Sequence, residues 1–172
     1  MPTHLFFTGD NQEGKSTLLN RLLETWNLPA AGLRTRRFFI DGLLKGHCLE
    51  SLLPHWPEEI NRIPCVIRIN EKRCVGVIPA YEQVGAAMLE ASRQSDAKLI
   101  VLDELGKTER AAEAFIAQVQ ACLEGPVPVV GVLQNCDFPL KEHILSRPDT
   151  RVVTVTAENR DALFEELQSL YR

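Results

Sequence analysis

Apolar residues along this chain fall into two rhythms. Short aliphatic or aromatic runs at residues 5–8, 98–102, 127–133 and 151–155 have the length of buried strands. Other apolar residues recur every three or four positions and predict helices. These are Leu18, Leu19, Leu22, Leu23 and Trp26; Val84, Ala87, Met88 and Ala91; Ala112, Phe115, Ile116, Val119 and Leu123; and Leu163, Phe164, Leu167 and Leu170. The first helix should end near Asn27, because Pro29 cannot continue it. Pro79 suits the first turn of the second. Thr108 is expected to cap the third and Gly125-Pro126 to stop it. Residues 140–146 predict a short helix, and Thr156 a cap for the last one.

The middle of the chain reads differently. After a turn at residues 30–32, a strand at 33–40 meets the turn signal Asp41-Gly42 and returns at 43–49. Residues 52–61 contain Pro54 and Pro57 and predict a loop. A second hairpin is expected from strands at 66–69 and 74–78 about Asn70-Glu71-Lys72. Strand and helix alternate on either side of these hairpins. The predicted architecture is therefore α/β: a three-layer α/β/α sandwich with a mostly parallel central sheet and inserted antiparallel hairpins. With 172 residues and no linker, residues 1–172 are expected to form a single domain.

Chemistry enters between the first strand and the first helix. Residues 9–17 read Gly9, Asp10, Asn11, Gln12, Glu13, Gly14, Lys15, Ser16 and Thr17, a complete Walker A pattern. The two glycines let the loop wrap a phosphate closely, and successive N–H groups form an anion nest at a helix N-terminus. Lys15 is expected on the β- and γ-phosphates and Ser16 on Mg²⁺. A Walker B pattern follows at residues 99–104. Its acids emerge at the carboxyl end of a strand, the edge where open α/β sheets bind ligands. Asp103 is the second expected Mg²⁺ ligand, and Glu104 is placed to orient an attacking water. Residues 103–106 also fit a GTPase Asp-x-x-Gly, but the guanine-reading Asn-Lys-x-Asp is absent, which sets a GTP switch aside.

Composition narrows the rest. A net charge of −4 argues against a nucleic-acid partner, despite the local cluster Arg34, Arg36 and Arg37. No stretch approaches the ~20 apolar residues of a membrane span, and the N-terminus carries no signal-peptide pattern. Five dispersed cysteines predict reduced thiols in a cytoplasmic protein, with a Cys65–Cys74 disulfide across the second hairpin disfavoured. The four histidines form no zinc pattern with them.

Three stretches carry a family resemblance. Leu102-Asp103-Glu104-Leu105-Gly106-Lys107-Thr108-Glu109 resembles the Asp-Glu-Ile-Gly-Lys-Met-Glu signature of the THEP-type P-loop nucleoside-triphosphatases, also called cancer-related nucleoside-triphosphatases. Residues 155–160 resemble that family's Val-Thr-x-Glu-Asn-Arg, and residues 32–35 its Gly-Phe-x-Thr strand. The resemblance implies Mg²⁺-dependent hydrolysis of ATP, GTP and other nucleoside triphosphates. It also implies a sheet in which the Walker B strand is not the direct neighbour of the phosphate-loop strand. It adds Arg160 as a charge-sensing candidate beside Lys15 and Glu104; Lys107, just past Walker B, is a further candidate for the γ-phosphate. The chain departs from the family at Arg36-Arg37, where the family has two acids, so any role of those acids does not transfer. The expected partners are nucleoside triphosphates, with neither membrane nor nucleic acid, and a monomeric state. A small-molecule or nucleoside kinase, or a regulatory nucleotide-binding module with little turnover, would use the same phosphate chemistry. No lid segment is evident between residues 135 and 151.

Overall fold

The computed structural model describes residues 3–11 and 13–171, with the side chain of Thr108 left out of the description. Gln12 and any capping by the Thr108 hydroxyl thus lie outside the described residues. Among these, eight strands form one sheet: β1 (His4–Thr8), β2 (Ala30–Ile40), β3 (Leu43–Ser51), β4 (Ile63–Asn70), β5 (Arg73–Gly76), β6 (Leu99–Leu105), β7 (Val129–Leu133) and β8 (Thr150–Thr154). The five α-helices are α1 (Lys15–Trp26), α2 (Ala86–Gln94), α3 (Glu113–Glu124), α4 (Pro139–Ser146) and α5 (Arg160–Leu167).

The sheet order is β5-β4-β3-β2-β6-β7-β1-β8. From β2 to β8 the neighbours run parallel, whereas β2 to β5 form an antiparallel meander. β7 lies between β1 and β6, so the Walker B strand is one place removed from the phosphate-loop strand, as the family resemblance implies. Each face of the sheet has its own core. Leu5, Phe7, Val101 and Val132 pack with Leu18 and Leu22 of α1 and Leu163 of α5. Phe6, Ile100, Leu102 and Leu133 pack with Met88 of α2 and Phe115 of α3. The period-2 alternation of β1 and β6 divides their side chains between these layers. Burying a leucine such as Leu18 or Leu22, both fully inaccessible, is worth about 1.5–3 kcal/mol.

Four sequence expectations shift. β2 begins at Ala30, where a turn was expected, because residues 30–34 pair in parallel with residues 99–103 of β6. Gly32 makes this possible: its φ is +104°, and a β-carbon there would lie 2.1 Å from the Val101 carbonyl oxygen. Pro79 leads first into a π-helical segment, Ala80–Gly85, and only then into α2. The wider turn rotates the buried face onto Tyr81, Gly85, Met88, Leu89 and Ser92, while Val84, Ala87 and Ala91 remain partly exposed. Ser92 is satisfied there, donating to Met88 O and accepting the Gly32 N–H. Third, α3 starts at Glu113, five residues after Thr108. Its first amides are met from a distance, since Glu82 Oε1 accepts from Ala114 N at 2.6 Å and Phe115 N at 3.3 Å. Fourth, the cap residue of α5 is Asn159, which exchanges hydrogen bonds with Thr156. The cysteines are free, and Cys74 pairs in register with Arg68, away from Cys65.

Candidate nucleotide site

The loop between β1 and α1 is shaped by its glycines. Gly9 has φ +138° and passes against the Val155 carbonyl; Gly14 has φ +82° and opens α1. A β-carbon on Gly14 would sit 2.4 Å from an Arg160 guanidinium nitrogen, so Arg160 lies across the loop at the start of α5. Lys15 is buried and donates from Nζ to Gly9 O at 2.6 Å. The loop's acidic side chains face outward and serve as anchors. Asp10 accepts from Asn135 Nδ2 at 2.8 Å, and Glu13 accepts from Ala157 N at 2.6 Å. Asp10 and Glu13 therefore contribute to the loop's shape through their side chains and leave the nest to main-chain amides.

Loop and acid pair meet at one contact, Ser16 Oγ donating to Asp103 Oδ1 at 3.1 Å. Asp103 and Glu104 are adjacent at the end of β6, where the register with β7 shifts; Asp103 bonds Ser16 of α1, and Glu104 lines the cavity beside Lys15. Burial pushes the Asp103 carboxyl up to about 6, with the Ser16 hydrogen bond opposing the shift and the Glu104 charge adding to it. Burial also raises Glu104, opposed by Lys15, a hydrogen bond from Gln134, and Arg37. In both, burial outweighs the nearby cations, so the net shift is toward the protonated form. Ser16 and Asp103 offer two oxygen donors, the small all-oxygen set that suits Mg²⁺, which keeps several waters and draws further ligands from substrate phosphates. Among the described residues no group of three or more His, Cys, Asp or Glu side chains is placed to hold a metal ion.

Around these groups opens a cavity of about 580 Å³. Asn11, Gly14, Lys15, Ser16 and Thr17 form one wall; Glu104, Gln134 and Arg37 face them. Lys107 is exposed and lies beyond Glu104, outside this cavity. Gln134, just after β7, stands beside Glu104 and accepts from Lys107 N at 3.3 Å. Gly106 permits this approach, because a β-carbon there would overlap Gln134 Oε1 at 1.9 Å. His47 and Cys74 also line the cavity and carry no local sequence signal. The register Arg37↔His47 across the β2–β3 hairpin brings His47 there.

A glycine-rich loop on the first strand, a serine–aspartate contact to an acid pair two strands away, and helices on both faces define a P-loop nucleoside-triphosphatase fold. The sequence model of the family described as NTPase matches residues 4–168, and the chain belongs to that family. It is 29% identical over 182 residues to the cancer-related nucleoside-triphosphatase homolog of Bos taurus, covering 97% of this chain and 95% of that protein. To nucleoside-triphosphatase THEP1 of Thermotoga sp. strain RQ2 it is 28% identical over 174 residues, covering 98% and 95%. The fold is similar to the solution structure of a human cancer-related nucleoside triphosphatase, with TM-score 0.72, 26% identity and 98% and 97% of the two chains covered. It is also similar to the crystal structure of THEP1 from Aquifex aeolicus, with TM-score 0.76, 23% identity and 98% and 99% covered.

Proposed function

We propose that this chain, as one domain, is a Mg²⁺-dependent enzyme that hydrolyses ATP, GTP and other nucleoside triphosphates to the diphosphate and phosphate. The observation that carries the reading is the 3.1 Å contact between Ser16 and Asp103, which joins the phosphate loop to the acid pair. Family membership and the nucleoside-triphosphatase names of the relatives support the reaction class. Bound with the nucleotide, Mg²⁺ supplies charge neutralisation across the phosphates, held by Ser16 and Asp103.

The chain's own residues do the rest. Main-chain amides of residues 9–17 hold the phosphates at the α1 N-terminus. Lys15 exchanges Gly9 O for a phosphate oxygen. Glu104 orients water against the γ-phosphorus and takes its proton as the new P–O bond forms and the bond to the β–γ bridging oxygen breaks. Arg37 faces the same space and balances charge at the γ end, while Arg160 steadies the loop over Gly14. Lys107 acts at the rim, beyond Glu104. The free, largely buried cysteines suit a reducing compartment, and we assign the protein to the cytoplasm. Among the described residues no helix is long and apolar enough to cross a membrane.

Phosphate release with ATP, GTP, CTP and UTP, with and without Mg²⁺, tests the proposal. Glu104→Gln is expected to lower kcat about 10²–10⁴-fold, the range of a positioned general base, while nucleotide binding persists. A variant that turned over at the wild-type rate would remove Glu104 from this role.

A further inference from the structure

Glu104 also borders a second cavity, on the side away from the phosphate loop. Its volume is about 440 Å³. A water occupies about 30 Å³, so this space exceeds the need of a lytic water by an order of magnitude. It falls within the ~300–1,000 Å³ of small-molecule sites. No described residue of the loop at 9–17 lines it, whereas five line the first cavity. The two cavities share His47, Cys74, Glu104 and Gln134, and so meet at the carboxylate assigned to the γ-phosphate end. A triphosphate on the loop would direct its terminal phosphorus toward this second space.

The lining indicates what fits. Lys72, Arg73 and Lys107 are matched by Glu71, Glu104 and Glu109, so the chamber is close to neutral. An ionic ligand would gain little there. Tyr81 and Val66 supply apolar wall, and Thr35 and Gln134 supply hydrogen-bonding groups. The roof is the β4–β5 hairpin, through Lys72, Arg73 and Cys74.

We propose that this cavity binds an uncharged, hydroxyl-bearing ring compound of nucleoside size, and that the enzyme passes the γ-phosphoryl group to its hydroxyl in competition with water. The inference rests on the assignment of the first cavity to the triphosphate. The hydroxyl oxygen bonds to the γ-phosphorus as the bond to the β–γ bridging oxygen breaks. Its proton goes to Glu104, the nucleoside diphosphate departs, and the products are a phosphate monoester and the diphosphate.

The test incubates the full chain with Mg²⁺ and [γ-³²P]ATP plus adenosine, guanosine, cytidine or uridine, and resolves labelled monoester from labelled inorganic phosphate. At least one nucleoside is expected to be labelled at the expense of phosphate. Lys72→Trp and Arg73→Trp, two exposed hairpin positions that line only the second cavity, are expected to lower the monoester-to-phosphate ratio at least about tenfold. Because the readout is a ratio, it does not depend on how much of a variant folds. Phosphate release without any labelled nucleoside overturns the acceptor site and leaves hydrolysis standing; so does a ratio unchanged in both variants. Labelled nucleoside with negligible free phosphate upholds the acceptor site and overturns hydrolysis as the reaction. Neither product overturns both.

Discussion

Three arginines within four residues of β2 have separate fates. Arg34 and Arg36 both reach Glu50 Oε1, at 3.5 and 3.0 Å. Arg37 points to the other face of the strand and, among the described residues, forms neither ion pair nor hydrogen bond. It lines the phosphate cavity opposite Lys15, and its charge is felt by Glu104 and by His47. Arg37 is exposed, so its pull on a developing phosphoryl charge is partly screened by water. Arg37→Ala is expected to lower kcat about 10–100-fold, a share of the effect an arginine finger supplies. Arg36→Ala, on the opposite face, should stay within about twofold of wild type, since exposed ion pairs contribute ~0–1 kcal/mol. Steady-state phosphate release separates the two; equal losses would place the effect in the stability of β2. The sequence shows three basic residues in a row of four and gives no means of telling which one lines the cavity beside Lys15. That distinction comes from strand alternation and from Glu50, thirteen or more residues away.

At the scale of elements, the strand and helix rhythms foretold the parallel half of the sheet, because each of those segments has one face, or both, buried in a continuous apolar layer. What escaped was set by partners distant in sequence. Residues 30–32 have little strand character of their own and are drawn into β2 by β6. The π-helical turn before α2 shifts a face that an ideal 3.6 period would place elsewhere, and α3 takes its capping carboxylate from Glu82. His4 belongs with these. It is 1% exposed, accepts the Val129 N–H at Nδ1 and donates from Nε2 to Leu123 O, both at 3.0 Å, so it pins β1 to β7 and to the end of α3 as the neutral ring. Burial lowers its pKa below 6.5, opposed by Asp149 and Glu124, while Arg147 assists. A base whose folded pKa is depressed binds its proton more tightly when unfolded, so its contribution to stability is complete above pH about 6.5 and is lost as pH falls below that value. Thermal melts from pH 8 to pH 5 are expected to show a steeper acid-side fall in Tm for wild type than for His4→Gln. His47, also lowered by burial and by Arg37, remains in both proteins as a common background. Parallel curves for the two proteins would assign the acid-side loss to other groups.

Across the whole molecule, the cavity assigned to the phosphates gathers residues from the loop after β1 and from α1, β2, β3, β5, β6 and β7, spanning Asn11 to Gln134, and Arg160 lies beside it at Gly14 from α5. The motifs in the loop and in β6 were readable because their chemistry is local: a nest needs consecutive amides, and an acid pair needs a buried strand beneath it. The contribution of the β2–β5 meander was not, because hairpins carry no sign of which neighbour they will lean over. Arg37, His47 and Cys74 arrive from that arm. A ligand in this cavity therefore bridges the parallel sheet and the arm, and should oppose their separation. Binding to the native state alone stabilises by about 2.7 kcal/mol at a hundredfold excess over Kd. A domain of 172 residues shifts its Tm by about 2–4 °C per kcal/mol. Saturating nucleotide with Mg²⁺ is thus expected to raise Tm by about 5–10 °C in scanning calorimetry. Lys15→Ala should abolish most of that rise, since Lys15 is the buried cation of the loop assigned to the phosphates. If nucleotide raised the Tm of Lys15→Ala as far as that of wild type, the ligand would be held somewhere other than the loop at residues 9–17.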